Sequence, residues 1–208
     1  MARMSRIIAS IVVIGALSAY GAAAAGRSAP TRSCGPASAR TLAVSGSARV
    51  YVVGRLVSGC AAGGGGRHFA LGTTSLCHGS VQVQAVTVAG RLAAFGTLSC
   101  GVDTGSSVVQ VRRLTDGRTL FTHGAASAPG PESFTTVTAI AADPAGDVAW
   151  IARASSIVRH TASTAVYAAA GATVRQLDAG TAIVSDSLRL SGTTVSWQHG
   201  SQRRSGRL

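Results

Sequence analysis

Residues Cys100 to Val111 read CGVDTGSSVVQV, and Asp103 is the side chain whose neighbours best suit acid–base work. A carboxylate followed by Thr104, Gly105 and Ser106 stands on a tight turn among hydroxyls. There it could activate water if a second carboxylate shared its proton. The same residue types also make an ordinary hairpin loop, because Asp accepts backbone hydrogen bonds and Gly supplies positive φ. Other chemistry is sparse. Glu132 is the single glutamate and the Asp residues are scattered, which leaves few candidates for a glycosidase carboxylate pair. His68, His78, His123, His160 and His199 show no mutual spacing. No Gly-x-Ser-x-Gly elbow, His-Glu-x-x-His helix or phosphate-binding loop occurs, and Gly63–Gly66 is followed by no helical pattern. The sequence predicts no cofactor.

Asp-Thr-Gly-Ser resembles the catalytic loop of pepsin-like and retroviral aspartic proteases. The resemblance implies a homodimer, since the chain holds one Asp-Thr-Gly and no Asp-Ser-Gly. It departs from that family at Gly101, where the enzymes carry an apolar residue, and no apolar-apolar-Gly segment follows downstream. The reading favoured here is a turn. A secreted hydrolase, either a dimeric aspartic peptidase using Asp103 or a glycan-active enzyme, is the alternative.

The elements that would position these residues come from a repeat. LAVSGSARVYVVG, VTVAGRLAAFG, IAADPAGDVAWIA and LRLSGTTVSWQHG share alternating apolar residues, a Gly-bearing turn and a second apolar run. Counted from Gly46, Gly90, Gly146 and Gly192, the aromatics Tyr51, Phe95, Trp150 and Trp197 follow at +5, +5, +4 and +5. Period-2 alternation around a glycine turn predicts β-hairpins, each with one aromatic on its buried face. Second hairpins are predicted at RHFALGTTSL, VVQVRRLTDGRTLF and AVYAAAGATVRQL, turning at Gly72, Gly117 and Gly171. Sequential four-stranded units at this period predict an all-β, β-propeller-like domain.

ADPAGDVAWIA followed by VYAAAGATVRQLDAG resembles a blade of the periplasmic TolB-type and related bacterial propellers, although it writes Pro-Ala-Gly-Asp for Pro-Asp-Gly. The resemblance implies a binding platform rather than an enzyme. Residues 26–208 are expected to form one domain of about four blades, at 41–80, 85–123, 137–180 and 187–208. The fourth lacks a last strand, which Arg27 to Arg40 could supply by closing the ring. An open β-arc and closure through a partner chain are the alternatives, with a β-sandwich as the competing fold. An unpaired sheet edge would favour a homodimer.

MARMSR, the apolar run Ile7 to Leu17 and an Ala-x-Ala site before Gly26 describe a signal peptide over residues 1–25, with an uncleaved membrane anchor as the alternative. No later stretch is long enough to span a bilayer. Export makes disulfides the expectation for Cys34, Cys60, Cys77 and Cys100. Their offsets from the turn glycines pair Cys34 with Cys60 and Cys77 with Cys100. The rival pairing is Cys60–Cys77 with Cys34–Cys100. No metal site is expected, because Cys77-His78 are adjacent and point to opposite faces of a strand.

All 19 basic residues are Arg, with neither Lys nor Asn in the chain, which suits a GC-rich genome and discounts the net charge of +12. Arg spread along the chain suits a solvated surface or an anionic envelope component more than a nucleic-acid groove, and no aromatic stacking motif is present. Nucleic-acid binding is therefore not expected. Loops between second and third strands, together with the connections between units, should share one face. That face is predicted to collect Arg67, Asp103, Ser106, His123, Glu132, Ser155, Arg159 and His160 for binding to an envelope component or another protein.

Overall fold

The computed structural model describes residues 34–75, 81–130 and 132–208. Within them the chain forms fifteen β-strands and no helix. The first antiparallel meander runs β1 (Arg40–Ser45), β2 (Ala48–Val53), β3 (Leu56–Ala61) and β4 (Phe69–Thr73). The second runs β5 (Gln82–Ala89), β6 (Leu92–Cys100), β7 (Gly105–Arg113) and β8 (Thr119–Gly124). The third is β9 (Ser133–Ala142), β10 (Val148–Ser156), β11 (Thr161–Ala170) and β12 (Thr173–Ala179). The fourth has three strands, β13 (Ile183–Ser191), β14 (Thr194–His199) and β15 (Gln202–Arg207).

Single parallel pairs, Thr73 with Gln82 and Gly105 with Phe134, stitch the first three meanders into one mixed sheet of 12 strands. The fourth meander is a separate sheet. This is not the closed propeller of blades expected from the sequence. The strand pairing gives the reason: parallel pairs join the first three meanders edge to edge, and among the described residues no pairing joins the fourth to the first. Tyr51 on β2 points toward Gly35 of the chain just before β1. The outward face of the fourth meander carries Arg189, Gln198 and Arg203. Nor do the described residues before β1 supply a missing strand, since residues 34–39 form turns and Cys34 is bonded to Cys60. Residues 27–33, and residues 1–25 where a signal peptide is expected, lie outside the described residues.

The hairpin reading holds at all four first turns. Gly46, Gly90, Gly146 and Gly192 have φ of 54°, 58°, 102° and 53°, a region L side chains rarely adopt. Gly117 and Gly171 turn the second hairpins of their meanders as expected. Gly72 does not. It lies inside β4, paired with Val57, and the β3–β4 connection is the 62–68 segment that contains Gly63–Gly66. The first meander turns early, at Gly54–Arg55, so its glycine tetrad takes the place assigned to Gly72.

Three cores lie between successive meanders. Val50, Val57, Leu71, Phe95 and Leu114 fill the first, while Val109, Val111, Val137 and Trp150 fill the second. Ile151, Val166, Leu188, Val195 and Trp197 fill the third. Phe95, Trp150 and Trp197 therefore each reach from the second strand of their own meander toward the preceding one. Strand alternation turns their neighbours, such as Ala94 and Ile151, toward the following meander. Tyr51 occupies the same phase with no preceding meander, and Gly35 approaches its ring instead. All four aromatics are at most 4% exposed.

Candidate functional site

Asp103 stands where the hairpin reading puts it, in the turn between β6 and β7. Gly101 N–H donates to the Thr104 carbonyl across that turn (2.8 Å). Asp103 is exposed, and among the described residues no hydrogen bond holds its carboxylate. A proton-sharing dyad needs a second carboxylate in a shielded site, and this turn tip offers no shielding. Gly105 serves packing: a Cβ there would come within 2.6 Å of the Phe134 ring. Asp-Thr-Gly-Ser is thus a turn whose glycine admits the neighbouring meander.

Antiparallel meanders send their connections to two opposite ends. At one end are the β2–β3, β6–β7 and β10–β11 turns and the links from one meander to the next. Glu132, Arg159 and His160 come together there. Ile157 N–H donates to the Glu132 carbonyl (3.1 Å), and Arg159 N–H donates to Ser156 Oγ (3.2 Å). The Arg159 guanidinium lies against Gly130, where an added Cβ would sit 2.9 Å from Nε. Glu132 and His160 have φ of 47° and 51°, the two non-glycine residues with positive φ among those described. Two backbones held in this region side by side mark a segment whose shape is imposed by its surroundings.

Exposed apolar residues gather at the same end. Val102 is 97% exposed at the β6–β7 turn, and Ile157 and Val158 are 57% and 54% exposed at the β10–β11 turn. Val53 and Leu56 flank the β2–β3 turn, and Val81 precedes β5. These side chains were absent from the sequence-based site, which gathered polar loop residues and passed over the apolar ones beside them.

The remaining predicted residues divide. Asp103 shares this end, and Ser106 and Ser155 lie on β7 and β10 just below it. Arg67 does not share it: it lies in the β3–β4 loop, beside the β1–β2 turn, where Ala62 N–H donates to the Ser47 carbonyl (2.9 Å). The displacement follows from the misplaced Gly72 turn, and Arg55 takes the position assigned to Arg67. His123 sits on β8, its ring stacked on Phe121 (6.2 Å between centroids) and 6.3 Å from Trp150. It belongs to the flank of the second core.

Cys34 is bonded to Cys60, as the glycine offsets predict. Cys100 is disulfide-bonded as well, while Cys77 and His78 lie outside the described residues. No group of three His, Cys, Asp or Glu side chains among the described residues could hold a metal ion. Likewise, no helix among them is long and apolar enough to cross a membrane.

Two further features escaped the sequence reading. Asp178 on β12 is almost buried and accepts from Trp197 Nε1 (2.7 Å) and Arg204 (2.9 Å), with His199 Nδ1 2.9 Å away. A His–Asp pair can orient a base, but here the His199 ring closes against Gly180, where a Cβ would lie 2.8 Å from Nε2. The cluster ties the third meander to the fourth. The second feature is a cleft of about 260 Å³ floored by Ala152, Ala154 and Ala165, with Ser127, Tyr167 and Gln176 on its rim. Burial raises the Tyr167 hydroxyl above its usual pKa. Alternate alanines on β10 and β11 were the available sign, since small residues on one strand face leave room above it.

No protein-family model matches the chain, and no curated protein matches it. The likeness to TolB-type blades rests on the hairpin pattern alone.

Proposed function

We propose that this protein is an exported, non-enzymatic binding or scaffold module of the cell envelope. In this reading its meanders are blade-like units in an open, propeller-like arc. The leader-like residues 1–25 and the disulfide between Cys34 and Cys60 support export.

The observation that carries the reading is the gathering of Val102, Ile157 and Val158 at the strand ends where Glu132, Arg159 and His160 meet. Large apolar side chains projecting from loop tips on a rigid sheet scaffold suit a macromolecular partner. Arg55 and Arg159 beside them suit a partner that also presents anionic groups. Asp103 on an exposed turn leaves the hydrolase alternative without a supporting observation.

The test is retention of the leaderless protein on its own envelope fraction. Val102→Ser with Ile157→Ser and Val158→Ser should lower retention at least about tenfold while leaving the melting temperature unchanged, because the side chains are exposed. Undiminished retention would remove this face from the argument.

A further inference from the structure

We propose that the outer edge of β15, unpaired among the described residues, accepts an extended acidic peptide as an added fourth strand. Among the described residues β15 pairs only with β14, although the other three meanders each have four strands. The β14–β15 hairpin turns through Gly200 and Ser201, so His199 and Gln202 form the pair that closes it. In a two-residue hairpin that closing pair exchanges both backbone hydrogen bonds, and the pattern alternates from there. Gln202, Arg204 and Gly206 therefore bond inward. Leu208 keeps the phase by donating to the Thr193 carbonyl (3.0 Å). The amides and carbonyls of Arg203, Ser205 and Arg207 are left pointing away from the sheet.

Side-chain alternation adds the charge. Arg204 faces the third meander, where it binds Asp178. Arg203, Ser205 and Arg207 consequently face the other way, together with Arg189 and Gln198. Arg189, Gln198 and Arg203 line an open pocket of about 330 Å³ on that face, which also holds Asp186. Arg203 and Arg207 are exposed, and neither forms an ion pair among the described residues.

A second copy of the chain fits this edge poorly. Pairing β15 with itself about a two-fold at Ser205 sets Arg203 directly opposite Arg207, and like charges across a strand pair destabilise it. A peptide with Glu at alternate positions presents carboxylates at the spacing of Arg203 and Arg207, while its backbone supplies the missing ladder.

Fluorescence anisotropy with a labelled peptide alternating Glu and Val tests the idea. Saturable binding is expected, weakened at least about tenfold by Ser205→Pro, which removes one outward N–H and no inward one. Arg203→Glu with Arg207→Glu should weaken it as much, and both positions are exposed enough to leave folding intact. A basic version with Lys in place of every Glu should not bind. Methylating alternate amides of the Glu peptide should abolish binding. Equal binding of the methylated peptide, or indifference to Ser205→Pro in a protein with unchanged melting, would reduce the effect to charge alone and overturn strand addition. Absence of saturable binding would overturn it too, as would self-association of the free protein that Ser205→Pro abolishes.

Discussion

The indole N–H of Trp197 on β14 donates to the carboxylate of Asp178 on β12 (2.7 Å), fastening the fourth meander to the third. Burial pushes the Asp178 carboxyl upward. Hydrogen bonds from His199, Trp197, the Ala179 N–H and Arg204 outweigh that push and bring it from 3.8 to about 2. A carboxyl depressed on folding contributes stability that is complete above its ordinary value and lost as pH falls toward 2. The contribution is on the order of 2 kcal/mol. Thermal melts between pH 5 and about 2 should therefore fall steeply for the native chain and much less for Asp178→Asn. Parallel curves would show that the cluster is not what acid releases.

The first and last residues of Asp-Thr-Gly should respond in the reverse of a catalytic loop. Asp103→Asn should leave stability within about 0.5 kcal/mol, because the side chain is exposed. Gly105→Ala should cost about 1–3 kcal/mol, because a Cβ would stand 2.6 Å from the Phe134 ring. Urea titrations of both variants decide the matter. A stability loss at Asp103 larger than that at Gly105 would contradict the packing role.

Cys34 and Cys60 close a loop of sequence separation 26. On the chain-entropy account, Cys34→Ser with Cys60→Ser should lose about 3 kcal/mol. Tyr51 should register the change first, since the disulfide anchors Gly35 against its ring. Its fluorescence should become accessible to quencher at denaturant concentrations where the native chain protects it. Loss of stability with Tyr51 still shielded would separate the disulfide from that contact.

Much of this fold was legible in short-range pattern and little of the site was. Gly46, Gly90, Gly146 and Gly192 announce hairpins because only glycine readily takes the turn they make, and the aromatics after them sit one strand later, on a buried face. Gly72 misled because glycine also occurs inside strands, and nothing local separates Gly72 in β4 from the tetrad that makes the turn. That single slip carried Arg67 to the wrong end of the sheets. The Asp178 cluster was invisible because its members are 19 to 26 positions apart and no motif links them. Val102 lies in the turn expected around Asp103, yet an apolar side chain in a turn carries no binding signal in sequence.

The common phase of the aromatics makes a last prediction. Phe95 belongs to the core between the first and second meanders, and Trp150 to the core between the second and third. Trp150→Phe strands the buried carbonyl of Ala125, which now accepts the indole N–H at 2.8 Å, and should cost about 1–3 kcal/mol. Phe95→Leu leaves a cavity and should cost about 1–2 kcal/mol. Because the two side chains fill different cores on opposite sides of the second meander, their costs should add within about 0.5 kcal/mol in the double variant. Chemical denaturation of the two single variants and the double supplies the cycle. A coupling above about 1 kcal/mol would mean that the cores behave as one body, and the picture of meanders meeting through separate, repeated interfaces would fail.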